Sequence, residues 1–419
     1  MLPLLFAQLV TLSLGDRTEA RYLAGDNDNH YEASTRPTVG LTFGWKRGSL
    51  AVVYGPFMRL SPLESTPRSF DVFHFGSAIG TYRFRLTTVS ISETGGYGYV
   101  NLREVAVAPP GATAPIPNTP TPGAPTPTMP TTPANPGGIP GTGGTNTGSQ
   151  APSQLRTIDR SILFGASTTN LALQHTLSRR WSLGEQVGYS VAGGVGYPAN
   201  QIYPWAQGWL LGVTTTYLYT FSRPDSLSSA LSLRWATGSD GNQVYTFMVN
   251  EYWTHEFNAR TRSVLGAGIT ASRFSNSDGL VGYSIYPTAL ASIGHFRKIG
   301  AGTLSLFCGV YSTPVIDPLR ATVDPRLGVS GGITFSQGKF TSNASASAAV
   351  SVAPTDDQGA VDSVGAGAGA GYWFGKAFSM DSGIRAAWQT YQGNTVTPAS
   401  WTAYVAATFV AETLLNGHR

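Results

Sequence analysis

The chain has 419 residues, of which 12% are charged, 41% are hydrophobic and 50 are glycine. Soluble globular chains are usually about 25% charged, so roughly half of the expected surface charge is missing. The 9 Trp, 19 Tyr and 19 Phe residues exclude disorder of the whole chain. A helical membrane protein is also excluded, because no apolar run approaches the roughly 20 residues that a helix needs to cross a bilayer.

The remaining composition argues against several kinds of site. Cys308 is the one cysteine of the sequence, which excludes an internal disulfide and a cysteine-based metal cluster. The 6 histidines do not have the spacing of a zinc site. The 27 basic and 23 acidic residues are too dilute for a nucleic-acid surface, which needs clustered Lys and Arg. We therefore expect no metal, no cofactor and no nucleic-acid partner.

Two segments differ in composition from the rest of the chain. Residues 1–7 are apolar and end in a small residue, so they are expected to be the remnant of a signal peptide, although no basic segment precedes them. The alternative is that they begin the first strand. Residues 105–155 are rich in Pro, Gly and Thr, a composition that favours extended, poorly ordered chain. We expect a largely disordered loop there, with a plug inserted into a pore as the alternative.

Elsewhere, apolar and small polar residues alternate with a period of two. Successive side chains of a strand point to opposite faces, so each segment has one apolar face and one face of Gly, Ser, Thr, Asn and Gln. Strands of globular sheets usually run about five or six residues. These segments run roughly 10 to 18, enough for the 9 to 11 residues of a bilayer-spanning strand. Examples of apolar faces are Val39, Leu41, Phe43 and Trp45, and Trp401, Ala403, Val405, Ala407 and Phe409.

The alternation predicts 18 strands, with 16 as the alternative because the pattern is blurred over residues 70–100. Strands 1–5 lie within residues 8–104, strands 6–18 within residues 156–411, and residues 412–419 form a tail. The predicted strands are 8–22, 36–46, 49–60, 70–82, 84–100, 158–177, 181–192, 205–222, 227–237, 243–257, 261–273, 283–297, 302–312, 325–336, 339–352, 362–374, 378–390 and 400–411.

Turns and aromatic residues narrow the fold class. Short turns such as Gln337–Lys339 alternate with long polar loops such as Gly193–Pro204, and Trp45, Trp181 and Phe409 lie at strand ends, where an interfacial girdle would place them. In these features the chain resembles the outer-membrane β-barrels of Gram-negative bacteria, and it is similar in size and strand count to exopolysaccharide-export and porin-like barrels. The resemblance implies an all-β, closed antiparallel transmembrane barrel with short periplasmic turns and long extracellular loops. It also implies that both termini are periplasmic and that residues 105–155 lie outside the cell.

The inward positions are mostly small and polar, with a few charges. Arg17, Glu19 and Arg21 share the lumen face of the first strand, and Arg234 and Arg385 have the inward parity. Arginines in a pore attract anionic or hydroxyl-rich solutes, so these five residues are candidates for selectivity. The alternative is that the charges pair across the lumen and stiffen the wall.

Four polar residues fall on the lipid-facing parity. They are His175 and Glu185, expected to be diagonal neighbours across the Ser178–Arg180 turn, and Glu251 with His255. A charge on this face costs roughly 2 to 4 kcal/mol at mid-bilayer and less toward the interface. The four residues are therefore expected near the periplasmic rim, and the alternative is a subunit or partner contact.

Three motifs that could carry chemistry are weak. The glycines of Gly365–Gly371 resemble a nucleotide loop, but the alternation continues through them, so they are expected to line a strand's inner face. The acidic run Asp26–Glu32 lacks the spacing of a calcium loop and is expected to be an exposed loop. The chain shows no convincing nucleophile elbow and no convincing Ser/His/Asp grouping, so we expect no enzyme.

The sequence therefore predicts an outer-membrane channel for polar solutes. A wide lumen, weak charge and many aromatic residues favour export of a saccharide or polysaccharide. The expected partners are outer-membrane lipid and lipopolysaccharide, the saccharide cargo, and a separate periplasmic polysaccharide-export protein that delivers it. The alternatives are a structural or adhesive barrel with a closed lumen and a general diffusion porin.

Overall fold

Antiparallel strands make up nearly all of the described part of the chain. The computed structural model describes residues 9–24, 30–60, 70–101, 161–178, 181–197, 199, 206–220, 224–237, 242–275, 279–317, 322–352, 361–391 and 395–414. Within these ranges no helix is both long and apolar enough to cross a membrane. The strands are β1 (Leu9–Ala24), β2 (His30–Thr35), β3 (Thr38–Trp45), β4 (Gly48–Leu60), β5 (Phe70–Arg83), β6 (Thr87–Asn101), β7 (Ser161–Thr176), β8 (Trp181–Gly194), β9 (Ala206–Thr220), β10 (Pro224–Thr237), β11 (Gln243–Asn258), β12 (Thr261–Ser275), β13 (Val281–Ile299), β14 (Gly302–Asp317), β15 (Thr322–Gln337), β16 (Phe340–Ser351), β17 (Val361–Trp373), β18 (Phe378–Tyr391) and β19 (Thr395–Leu414).

The strand pairings form a closed ring. From β3 to β19 each strand pairs antiparallel with the next, and β19 pairs with β1 along Thr11–Ala24. On its other edge β1 pairs with β2 and β3. A closed ring leaves no strand edge without backbone partners, which a wall surrounded by lipid requires. The predicted all-β antiparallel barrel is confirmed.

One barrel strand is split into β2 and β3. Both segments pair with β1 on one side and with β4 on the other, so the 19 strands occupy 18 positions in the ring. The break falls at Arg36 and Pro37, where the proline has no N–H to donate to a ladder. The sequence prediction of a strand over 36–46 was too short, because pairing with β1 extends it back to His30. The loop expectation for Asp26–Glu32 was therefore wrong for residues 30–32, which belong to β2, and residues 26–29 lie outside the described part.

The two faces of the wall differ as the alternation predicts. The outer face carries exposed large apolar side chains, such as Leu14, Val187, Leu231, Ile269, Val405 and Phe409. The inner face carries mostly Gly, Ser, Thr and Asn, with the charged residues described below. Short connections join the strands at the rim that contains Lys46, Arg260 and Gly338, which we call the short-turn rim. The expected signal remnant 1–7, the loop 105–155 and residues 415–419 of the tail lie outside the described residues.

Candidate functional site on the inner wall

The inner face of β1 is tied to β18 by an arginine–carboxylate pair. Arg17 donates from Nη1 to Asp381 Oδ1 at 2.8 Å and from Nη2 to Asp381 Oδ2 at 2.9 Å. Its Nη1 also lies 3.3 Å from Thr408 Oγ1 on β19, the strand between them. Two parallel charge-assisted hydrogen bonds are the strongest arrangement of this pair. The contact therefore spans the place where the last strand closes against the first.

Further ion pairs continue along the inner wall, and together they form what we call the ion-pair chain: Asp381, Arg17, Glu19, Arg21, Glu32, Arg59 and Asp71. Carboxylates and guanidinium groups alternate along it, and most of these side chains are buried. Buried charges are stable only when they are paired in this way. The nitrogen–oxygen distances are 3.4 Å for Arg17–Glu19, 3.7 Å for Arg21–Glu19, 3.5 Å for Arg21–Glu32, 3.3 Å for Arg59–Glu32 and 2.7 Å for Arg59–Asp71.

The glycine run of β17 makes room for this cluster. A Cβ atom on Gly367 would lie 3.4 Å from Arg385 Cγ, and one on Gly371 would lie 3.3 Å from Asp381 Cβ. A Cβ atom on Gly369 would lie 3.1 Å from the hydroxyl of Tyr404. The run continues a strand ladder with β16 and β18, as expected from its alternation. Longer side chains of β18 and β19 pack against the backbone of these glycines.

Arg385 lies over an aromatic ring next to these glycines. Its guanidinium carbon lies 4.7 Å from the ring centroid of Tyr404. Tyr404 is the direct partner of Gly383, where an added Cβ would come within 2.9 Å of the ring carbon Cε1. The Tyr404 ring therefore lies between glycine backbone on one side and the Arg385 guanidinium on the other, and the ring and the guanidinium attract each other by a cation–π interaction.

Other inner-face aromatic rings also lie over glycines of the next strand. Tyr252 covers Gly266, and Tyr311 covers Gly328, with would-be Cβ distances of 2.6 Å and 2.3 Å to the ring carbons. An aromatic ring over a glycine covers otherwise exposed backbone.

Arg234 lies partly buried on the inner face of β10, as its parity predicts. It is within Coulombic range of the Tyr252 phenol, and its Nε has no hydrogen-bond partner. Arg234 does not belong to the ion-pair chain.

The start of β15 contacts β11 although β12, β13 and β14 lie between them in the ring. The contact is apolar: Val323, 7% exposed, clusters with Ala236 and with Val244, which is fully buried. Tyr286 of β13 packs against the same cluster. This end of the β14–β15 hairpin therefore leans across the lumen and narrows it.

The four outward polar residues divide into two groups. His175 pairs with Thr87 and His255 with Asp225, at 3.0 and 2.5 Å, close to the short-turn rim. Both histidines therefore lie at this rim, and its periplasmic orientation stays a prediction.

Glu251, by contrast, lies in the middle of β11, where Ser229 Oγ donates to its Oε2 at 2.6 Å. Glu185 lies two residues along the ladder from the partner of His175, which is the predicted diagonal. Besides Asp225, two outward carboxylates of the described residues were not selected from the sequence. Glu93 accepts hydrogen bonds from Ser167 and Thr169, and Asp16 accepts them from Thr18 and Thr35.

The structure adds inner-face residues that the sequence analysis did not select. Asp381, Glu32, Arg59, Asp71 and Tyr404 join the predicted Arg17, Glu19, Arg21 and Arg385. Their inward parity could be read from the sequence, but their partners could not. In the described part of the chain no group of three or more His, Cys, Asp or Glu side chains is placed to hold a metal ion.

The fold is similar to that of several solved structures from Gram-negative bacteria. The FrpB iron transporter from Neisseria meningitidis is 9% identical, with a TM-score of 0.51, covering 90% of this chain and 62% of that one. OccK2 from Pseudomonas aeruginosa is 12% identical, with a TM-score of 0.48, covering 98% and 100%. OccAB3 from Acinetobacter baumannii is 10% identical, with a TM-score of 0.48, covering 96% and 99%. At these identities the likeness to FrpB shows a shared barrel fold alone.

The family of the chain follows from its sequence. No curated protein matches the chain. The EpsX exopolysaccharide export family matches residues 15–279, which is more than half of the chain and includes β2 to β12. The family and the closed barrel together support an outer-membrane channel. The chain belongs to the EpsX exopolysaccharide export family.

Proposed function

We propose that this barrel is the channel through which a saccharide polymer leaves the cell. The observation that carries the proposal is the match of residues 15–279 to an exopolysaccharide export family. The inner wall is chemically suited to such a cargo. Its Ser, Thr and Asn side chains can exchange hydrogen bonds with sugar hydroxyls, and its glycines keep side chains out of the bore.

Delivery of the polymer to the channel requires a partner in this proposal. The described residues form the wall of the barrel, and a polymer made inside the cell has to be carried to it. We therefore propose a separate periplasmic polysaccharide-export protein as the partner, as the sequence analysis did. The expected point of contact is the short-turn rim, whose orientation toward the periplasm follows from the usual placement of short turns in such barrels.

A barrel with a closed lumen is the second candidate, because one observation favours it. The apolar cluster of Val323, Val244 and Ala236 joins β15 to β11 across the lumen. A permanently closed barrel of this kind would serve a structural or adhesive role. In the export proposal the same contact has to open when polymer passes.

Deletion of the gene in its host tests the proposal. We expect the polymer to disappear from the cell surface and to accumulate behind the outer membrane, and a plasmid copy to restore it. Total polymer synthesis, measured on lysed cells, is the control for an indirect effect on biosynthesis. Unchanged surface polymer in the deletion strain would refute export and leave the structural candidate.

A further inference from the structure

A row of buried hydroxyl groups crosses the inner wall beside the apolar cluster. Thr246, Ser272 and Ser284 are direct ladder partners on β11, β12 and β13, and we call them the hydroxyl row. We propose that the hydroxyl row is a binding site for a saccharide chain, exposed when the β14–β15 hairpin moves away from it. The inference rests on the proposed function, because it names the place on the wall where the exported polymer is held.

The hydroxyls of the row are buried, which is unusual for polar groups on the inner face of a barrel. Thr246 and Ser272 are 1% and 4% exposed, and within the described residues their oxygens and that of Ser284 have no hydrogen-bond partner. Buried polar groups are normally satisfied by protein, water or a ligand, because leaving them unpaired costs free energy. Elsewhere in the barrel direct ladder partners of this kind bond to each other, as Ser49 and Thr81 do at 2.9 Å. The row therefore offers adjacent hydroxyls that can both donate and accept.

Two neighbouring groups enlarge the site. Arg234 is the direct ladder partner of Thr246 on β10, and Thr270 lies two residues from Ser272 on the same face of β12. In the described part of the chain, Nε of Arg234 and the hydroxyl of Thr270 are also buried without a hydrogen-bond partner. Adjacent strands lie about 4.8 Å apart, so the row from Arg234 to Ser284 extends over about 14 Å. That length exceeds one sugar ring, and each of these groups can bond to a sugar hydroxyl.

The β14–β15 hairpin lies against the wall beside the row. Val323 of β15 packs with Val244, which is two residues from Thr246 on the same face of β11. Tyr286 packs against the same cluster and is two residues from Ser284 on β13. These contacts account for hydroxyls that are buried although they face the lumen. Movement of the hairpin would expose the row, and a saccharide bound there would favour the open position.

Binding of short oligosaccharides, cut from the surface polymer of the host, to the purified barrel in detergent tests the site by titration calorimetry. The key variant is Thr246→Val, which keeps the shape of the side chain and removes its hydroxyl. We expect it to bind the oligosaccharides about tenfold more weakly, the effect of one hydrogen bond whose sugar partner is left unpaired. We also expect it to unfold at a higher denaturant concentration than the wild type, because an unpartnered polar atom has been removed. A hydroxyl that served the fold would shift the stability in the opposite direction.

Thr254→Val is the matched control, because Thr254 lies on the same face of β11, eight residues from Thr246 and near the short-turn rim. It should keep the wild-type affinity. Ser272→Ala is a second variant of the row, for use if Thr246→Val does not fold, and the same weaker binding is expected. Val323→Ala should bind more tightly than the wild type, because a loosened hairpin leaves the row accessible in a larger fraction of the molecules.

Four results would overturn the proposal. They are absence of binding by both the wild type and Val323→Ala, unchanged affinity in the row variants, an equal loss of affinity in Thr254→Val, and no gain of affinity in Val323→Ala. The gene deletion is a separate test. Surface polymer lost on deletion without binding in vitro sinks the hydroxyl row alone, whereas retained surface polymer sinks the export proposal.

Discussion

Arg17 and Asp381, which are 364 residues apart in the sequence, form a bidentate ion pair across the strand that closes the barrel. Their strands, β1 and β18, both pair with β19. The contact therefore joins the beginning of the chain to its end on the inner wall. It forms only when β19 has taken its place between them.

Removing one partner of this pair is expected to destabilise the closed barrel. In Asp381→Asn the Arg17 guanidinium, 12% exposed, keeps its charge with a weaker acceptor. We expect a loss of about 1 to 3 kcal/mol in the free energy of unfolding, measured in denaturant with the barrel in lipid vesicles. The double variant Arg17→Gln/Asp381→Asn should cost less than the sum of the two single variants. Additive costs would show that the two side chains do not interact.

Glycines under aromatic rings are expected to be intolerant of a methyl group. In Gly266→Ala the new Cβ would lie 2.6 Å from Tyr252 Cδ1, so the ring has to move, at a cost of about 1 to 3 kcal/mol. Gly294 is the control, because its Cβ would meet only the Leu306 carbonyl oxygen, at 3.9 Å. Gly294→Ala should be neutral or stabilising by up to about 1 kcal/mol. Equal unfolding midpoints of the two variants would contradict the packing described.

Substitution of Glu251, whose carboxylate lies in the middle of β11, tests whether the outer face of this strand contacts lipid. If this part of β11 faces lipid, Glu251→Leu should stabilise the barrel in vesicles by about 1 kcal/mol, because it removes a polar group from an apolar environment. Ser229→Ala should destabilise it, since it leaves the carboxylate without its 2.6 Å donor. A loss of stability in Glu251→Leu, together with loss of a co-purifying protein, would instead support the partner interpretation.

The contact between β11 and β15 is expected to control ion flow. Cysteines replacing Val244 and Val323, in a Cys308→Ser background, should be joined by a short bifunctional thiol reagent because the two side chains share one cluster. We expect the joined barrel to conduct poorly in planar bilayers and the unjoined variant to show openings to a higher conductance. Equal currents before and after joining would mean that the hairpin does not narrow the path.

Alternation of residue types was enough to predict the barrel, because lipid and lumen impose opposite demands on the two faces of every strand. Even the blurred region proved to be two strands, Phe70–Arg83 and Thr87–Asn101. The split at Pro37 was missed, since the pairing with β1 that continues the strand to His30 depends on distant residues.

The site was less predictable than the fold. The inward parity of Arg17, Glu19, Arg21 and Arg385 could be read from their strands, but the partners required the ladder register. Asp381 meets Arg17 only through the closure of β19, and Tyr404 lies on Gly383 only in the register of β18 with β19. The lean of the β14–β15 hairpin toward β11 has no signal in the alternation, because it depends on contacts across the lumen.

Passage of polymer through the lumen is tested most directly by obstructing it. Gly294→Cys places a thiol on the inner face of β13, where the structure has room, and Cys308→Ser removes the exposed native thiol of the outer face. After labelling with a maleimide that carries a bulky polyethylene glycol chain, completed as judged by gel shift, new surface polymer is measured over time. We expect secretion to stop in the Gly294→Cys/Cys308→Ser cells and to continue in equally treated Cys308→Ser cells. Undiminished secretion from the fully labelled barrel would contradict passage of polymer through the lumen.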